Sequence, residues 1–194
     1  VGWLAWVDFL LRISRSQGIV RRYLVVNGFD GALTMLGLIL GFLFSSPAEL
    51  DLILNACLGA AIALAMSGTS SAYISEAAER KRALSQLEEA MLSDLHASAH
   101  GKAARWVPLF IAIINGAAPL AISLLILTPL WLARAGMALP LAPLPLAVMV
   151  ALLLIFFLGV FLGRIAQTSW WRSGLQTLLV AALTAALIYL IGGH

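Results

Sequence analysis

Polar side chains along this chain fall into a few clusters, separated by long apolar intervals. Five intervals stand out: Tyr23–Phe44, Leu52–Tyr73, Trp106–Leu132, Leu146–Gly163 and Gly174–Ile191. Roughly 20 mostly apolar residues are enough for a helix to cross a bilayer. The pattern therefore predicts an all-α membrane protein with five transmembrane helices. With no linker-like stretch between the spans, residues 1–194 read as one domain.

The non-spanning segments predict further elements. Residues 1–20 set Trp3, Leu4, Trp6, Val7, Leu10 and Leu11 against Asp8, Arg12 and Arg15. That is the pattern of an amphipathic helix lying in the membrane interface. The arginines follow the apolar residues, which reverses the order of a secretory signal. Ser46-Pro47-Ala48-Glu49 forms a capping box with proline at the first helical position and predicts the start of the second span. Asp51 adds negative charge at that helix's positive end.

Residues 74–105 are the one sizeable polar insert, rich in helix-forming Ala, Glu, Arg, Leu and Gln. A single straight helix through Ala99 would travel about 35–40 Å at ~1.5 Å per residue, too far for residues 100–105 to recover. The expectation is a short helical hairpin. Its returning helix would start at the capping box Ser85-Gln86-Leu87-Glu88, and Gly101 would mark its end. Asn115-Gly116-Ala117-Ala118-Pro119 predicts a kink in the third span. Pro140, Pro143 and Pro145 predict a short, stiff loop before the fourth.

Composition agrees with this class: 62% of residues are hydrophobic and 11% charged, against about 25% charged in a soluble domain. Charge then orients the chain. Of 12 basic residues, Arg134 alone falls on one side; Arg12, Arg15, Arg21, Arg22, Arg80, Lys81, Arg82, Lys102, Arg105, Arg164 and Arg172 fall on the other. By the positive-inside rule the N-terminus is cytoplasmic, as expected of a multi-pass protein of a plasma or inner membrane. The net charge of +3 follows from this asymmetry and calls for no nucleic-acid partner. Cys57 is single and mid-span, so it reads as a small core hydrophobe.

Asp30 is the ionisable side chain inside the first span. Such a group costs roughly 2.5–3.5 kcal/mol at mid-membrane on the mildest scale, which points to a cation ligand or a proton-exchanging carboxylate; the other reading is an aspartate hydrogen-bonded for packing. Asn27 shares its face. Met66 offers a soft thioether that, beside carboxylates, favours Fe²⁺ or Mn²⁺ over Mg²⁺ or Ca²⁺, although methionine in a span is commonly packing. The neighbouring hydroxyls Ser67, Thr69, Ser70 and Ser71 can hydrogen-bond across helices or wet a path, and the first is the default expectation. In the insert, Glu76 and Glu79 share a helix face, and Glu88, Glu89 and Met91 precede Asp94 and His96. A fold-back would gather the two groups into a metal site; a solvated charged hairpin balanced by Arg80, Lys81 and Arg82 is the plainer alternative. Gly37-x-x-x-Gly41 and Gly159-x-x-x-Gly163 are two sites for close helix approach, the first making span one a dimer contact.

Enzyme motifs are missing. Asp30-Gly31-Ala32 lacks the Ala-Arg pair and the two further aspartates of the lipid-headgroup transferases. Ala65-Met66-Ser67-Gly68 has no mid-span histidine to make it a serine-protease nucleophile. Neither a phosphate-binding glycine loop nor a zinc-type Cys/His cluster is present, so no enzyme activity and no cofactor are expected.

Asp30-Gly31-Ala32-Leu33-Thr34 with Leu36-Gly37-Leu38 and Gly41, Tyr73-Ile74-Ser75 with Glu79-Arg80, and Ser173 to Gly192 together resemble the vacuolar iron transporter family, in order and spacing. The resemblance covers most of the chain. It implies a homodimer that exports Fe²⁺ or Mn²⁺ from the cytosol in exchange for protons, along a path lined by the first two spans. It puts the family's first-span aspartate at Asp30 and its second-span methionine at Met66. Its metal-gathering residues would be Glu76, Glu79, Glu88, Glu89 and Met91. The chain departs from the family pattern at Phe29, in place of asparagine, at Ala72, in place of glutamate, and in its shorter insert. The expected function is thus a proton-coupled divalent metal transporter in contact with metal ions, protons, lipids and a second copy. The alternative is a membrane scaffold or accessory subunit that kept the fold without transporting.

Overall fold

A computed structural model describes residues 17–45 and 48–192. Among them are five helices and no strand: α1 Gln17–Phe44, α2 Leu50–Met91, α3 Ala99–Arg134, α4 Pro143–Ile165 and α5 Trp170–Gly192. Each is long and apolar enough to cross a membrane. The predicted interfacial helix lies outside the described residues up to position 16, and residues 17–20 open α1. Ser46 and Pro47 of the first capping box also lie outside; Glu49 accepts the first α2 hydrogen bond, from the Ile53 amide at 3.2 Å.

The insert differs from its expectation. α2 runs unbroken through Ser85-Gln86-Leu87-Glu88 to Met91, so that tetrapeptide starts no helix. With neither glycine nor proline between residues 69 and 100, nothing interrupts a run of strong helix formers. The chain turns over residues 92–98, and the return is made by α3, which begins well before the apolar interval at Trp106.

That turn is built in two steps. Leu92 takes a left-handed φ of 47°, while the Ser93 amide donates to the Glu88 carbonyl at 3.3 Å and the Leu92 amide to Glu89 at 3.4 Å. This is a Schellman stop with leucine where glycine is usual. Ser98 then caps α3 by accepting from the amides of His100 and Gly101 at 3.2 and 3.3 Å. Gly101 lies in the first turn of α3 and ends no helix; a Cβ there would strike the carbonyls of Leu95 and His96. Proline placement also shifts: Pro143 opens α4 and Pro145 sits in its first turn, leaving Pro140 in the loop.

By internal packing, the described chain forms two compact units. One gathers residues 17–24 and Ala65–Ala117. Here Ala103, Val107 and Ile111 of α3 pack on Ile19, Val20 and Tyr23 of α1. The buried Asn115 side chain donates to the Gly68 carbonyl at 2.7 Å, joining α3 to α2.

The other unit gathers residues 25–64 and 118–192. Its core draws Met35, Leu36 and Ile39 from α1, Ile53, Leu54 and Cys57 from α2, Ile126, Leu127 and Leu130 from α3, and Ile155 from α4. Cys57 is fully buried there, as expected of a small hydrophobe. α4 buries Ala147, Ala151, Ile155, Gly159 and Gly163 on one face. At Gly159 a Cβ would lie 2.8 Å from Thr177 Cγ2 and 2.9 Å from the Ser173 carbonyl, so α4 and α5 meet nearly backbone to backbone. Where α2 begins and α3 ends, Arg134 Nε pairs with Asp51 at 3.0 Å, both exposed.

Candidate functional site

Asp30 stands near the middle of α1, flanked by apolar turns. Its side chain is exposed. Gly31 beside it turns toward α3, where a Cβ would lie 2.7 Å from the Pro119 Cα and carbonyl oxygen. This contact fixes the rotation of α1: residues 31, 32, 35 and 36 go inward, and Asp30 is left on the opposite side. A crevice of about 140 Å³ adjoins the carboxylate, walled by Val26 and Phe29 of α1, Leu158 and Leu162 of α4, and Thr177 of α5. Thr177 gives its hydroxyl to the Ile155 and Gly174 carbonyls at 3.1 and 2.8 Å. Among the described residues no side chain or amide bonds or pairs with the Asp30 carboxylate. A packing aspartate would be buried and hydrogen-bonded, and among the described residues Asp30 is neither.

Met66 belongs to the other unit and is 64% exposed on α2. The hydroxyl run around it does not cross to a neighbouring helix as expected. Thr69 donates to Ala65 at 2.8 Å, Ser70 to Met66 at 2.8 Å and Ser71 to Gly68 at 3.3 Å, all carbonyls of α2 itself. These side chains are short, and the carbonyl one turn back is the nearest acceptor. The bond that joins the helices comes from the longer Asn115 instead.

The carboxylates of the insert are not gathered as the fold-back required. Because α2 is continuous, Glu76 and Glu88 are separated by about 18 Å of helix at ~1.5 Å per residue. Glu76 is buried and ion-paired with Arg80 at 3.6 Å. Glu79, Glu89 and Met91 point to solvent.

The turn assembles a different set. Ligand atoms of Glu88, Asp94 and His96 lie within 4.8 Å of one another. Glu88 Oε1 accepts the Leu95 amide at 2.9 Å and lies 3.8 Å from His96 Nε2. Asp94 accepts the His96 amide at 2.8 Å. Both carboxylates therefore shape the turn and keep lone pairs to spare, and the histidine offers a nitrogen donor. In the sequence Asp94 and His96 stand only as neighbours of the glutamates; their place on the site follows from the reversal of the chain at Leu92.

No family model matches the chain, and no solved structure matches it. Among curated proteins it is similar to the uncharacterized protein MJ0645 of Methanocaldococcus jannaschii, with 30% identity over 194 residues, covering 94% of this chain and 98% of that protein.

Proposed function

The chain belongs to the same family as the Methanocaldococcus jannaschii protein, and on that premise we propose that it is a proton-coupled transporter of divalent metal ions, Fe²⁺ or Mn²⁺. The single observation that carries the reading is the Asp30 carboxylate, exposed in the middle of a membrane-crossing helix with no partner of its own among the described residues. A charge so placed needs water, an ion or a neighbouring subunit to offset the cost of hydrocarbon. A metal-binding carboxylate must be deprotonated, so loading a cation expels a proton and unloading recovers one. That exchange is the coupling.

The other assignments follow from it. Met66 supplies a soft donor that favours Fe²⁺ or Mn²⁺ over Mg²⁺ or Ca²⁺. The excess of Arg and Lys supports a cytosolic N-terminus and a cytosolic α2–α3 turn. On that side, Glu88, Asp94 and His96 form a loose first-contact site for the incoming ion. Export then proceeds by way of Asp30, in a homodimer like that of the vacuolar iron transporters. Transport in proteoliposomes with an internal pH probe tests the reading across several divalent ions. Asp30→Ala is expected to abolish metal-dependent proton flux while Asp30→Asn keeps the protein monodisperse; undiminished flux in Asp30→Ala removes the mechanism. A protein that binds neither Fe²⁺, Mn²⁺, Co²⁺ nor Zn²⁺ in titration is instead a scaffold.

A further inference from the structure

The corner between α4 and α5 holds a cavity of about 380 Å³, lined by Phe156, Phe157, Val160, Phe161, Arg164 and Trp170. Its chemistry is divided. The α4 side is hydrocarbon and aromatic, and Phe157 and Phe161 are 61% and 41% exposed. One end carries the Arg164 guanidinium, in the last turn of α4. Residues 143–192 contain neither aspartate nor glutamate, and among the described residues no ion pair takes up Arg164. Trp170 is the first residue of α5, so the charged end also adjoins the positive terminus of a helix.

The walls are held in place. Phe156 meets Trp171 edge-on at 6.2 Å, and Trp171 meets Trp170 at 6.0 Å. The helices behind them are locked at Gly163, where a Cβ would lie 2.7 Å from Ser173 Oγ. The Thr168 and Ser173 hydroxyls bond each other at 3.2 Å across the connection.

An apolar trough ending in one unpaired cation, at the end of a membrane-crossing helix and beside two tryptophans, matches an amphiphile with an anionic head. Tryptophan prefers the headgroup level, and basic pockets between membrane helices take lipid phosphates. A soluble anion would leave the phenylalanine wall unused, and a zwitterionic lipid would offset the cation with its own. We propose that this cavity binds one anionic phospholipid, its phosphate on Arg164 and an acyl chain along Phe157 and Phe161. The site is independent of Asp30 and of the transport reading.

Native mass spectrometry of the detergent-purified protein tests it, titrated with dioleoylphosphatidylglycerol or dioleoylphosphatidylcholine. The expected result is about tenfold tighter retention of the glycerol lipid, the scale of one charge-assisted contact, falling to parity in Arg164→Gln. Equal retention of both lipids by the wild type overturns the proposal, as does a preference that survives in Arg164→Gln. Melting of the wild-type protein gives a second readout should that variant not fold. Phosphatidylglycerol should raise the midpoint and glycerol phosphate should not; an equal rise with the soluble headgroup also overturns the lipid assignment.

Discussion

α1 and α4 carry the same small-residue spacing and use it differently. Gly159 and Gly163 of α4 are consumed inside the chain, pressed against Thr177 and Ser173 of α5. A Cβ on Gly37 of α1 would meet Ile188 Cδ1 at 3.6 Å, and one on Gly41 would meet nothing within 4 Å among the described residues. Asp30 on the same helix is uncovered as well. A glycine pair therefore says that a backbone can be approached, and only the packing says whether the subunit itself makes the approach. Features satisfied within the chain hold the fold together; on the function proposed above, those left open on α1 face a second copy or an ion.

The largest effect should come from blocking the satisfied pair. Gly159→Val drives a branched side chain into Thr177 and the immovable Ser173 carbonyl. It should cost about 3 kcal/mol, the upper end of overpacking penalties, seen as a lowered melting midpoint in detergent. Gly41→Leu is the matched control: open space around it predicts a change within about 0.5 kcal/mol. If two copies pair through α1, as the Gly37-x-x-x-Gly41 spacing predicts, the same variant should lower the dimer fraction in light scattering. A Gly41→Leu subunit that melts as early as Gly159→Val would erase the contrast between the helices.

A smaller effect, of opposite sign, sits at the α2–α3 turn. Leu92 holds a left-handed φ of 47° and is 93% exposed, so Leu92→Gly removes backbone strain and little packing. It should stabilise the protein by about 1 kcal/mol, read in the same melt. No gain would mean that Leu92 makes a contribution its exposure conceals.

This turn also marks where sequence reading ran out. The five spans were legible because long apolar runs leave few alternatives, and Asp30 was legible because a lone charge in such a run has no neighbours to hide it. Leu92 carries no such signal, since nothing in a leucine announces a positive φ. Ser85-Gln86-Leu87-Glu88 misled for the complementary reason. A capping box stops being one when helix formers continue on both sides, as they do here from Ala83 to Met91. The gathering of Glu88, Asp94 and His96 was hidden behind the same misplaced turn. The Asp51–Arg134 pair was within reach, because the charge pattern already put the start of α2 and the end of α3 at one membrane face.

On the proposed function, Asp30 trades a proton for a cation. Adding Mn²⁺ to weakly buffered, detergent-solubilised protein with a pH-sensitive dye tests this without a membrane or a dimer assay. Wild-type protein should release protons in step with metal binding, and Asp30→Asn should lose that release while keeping its melting midpoint. Equal proton release from the two proteins would contradict the account.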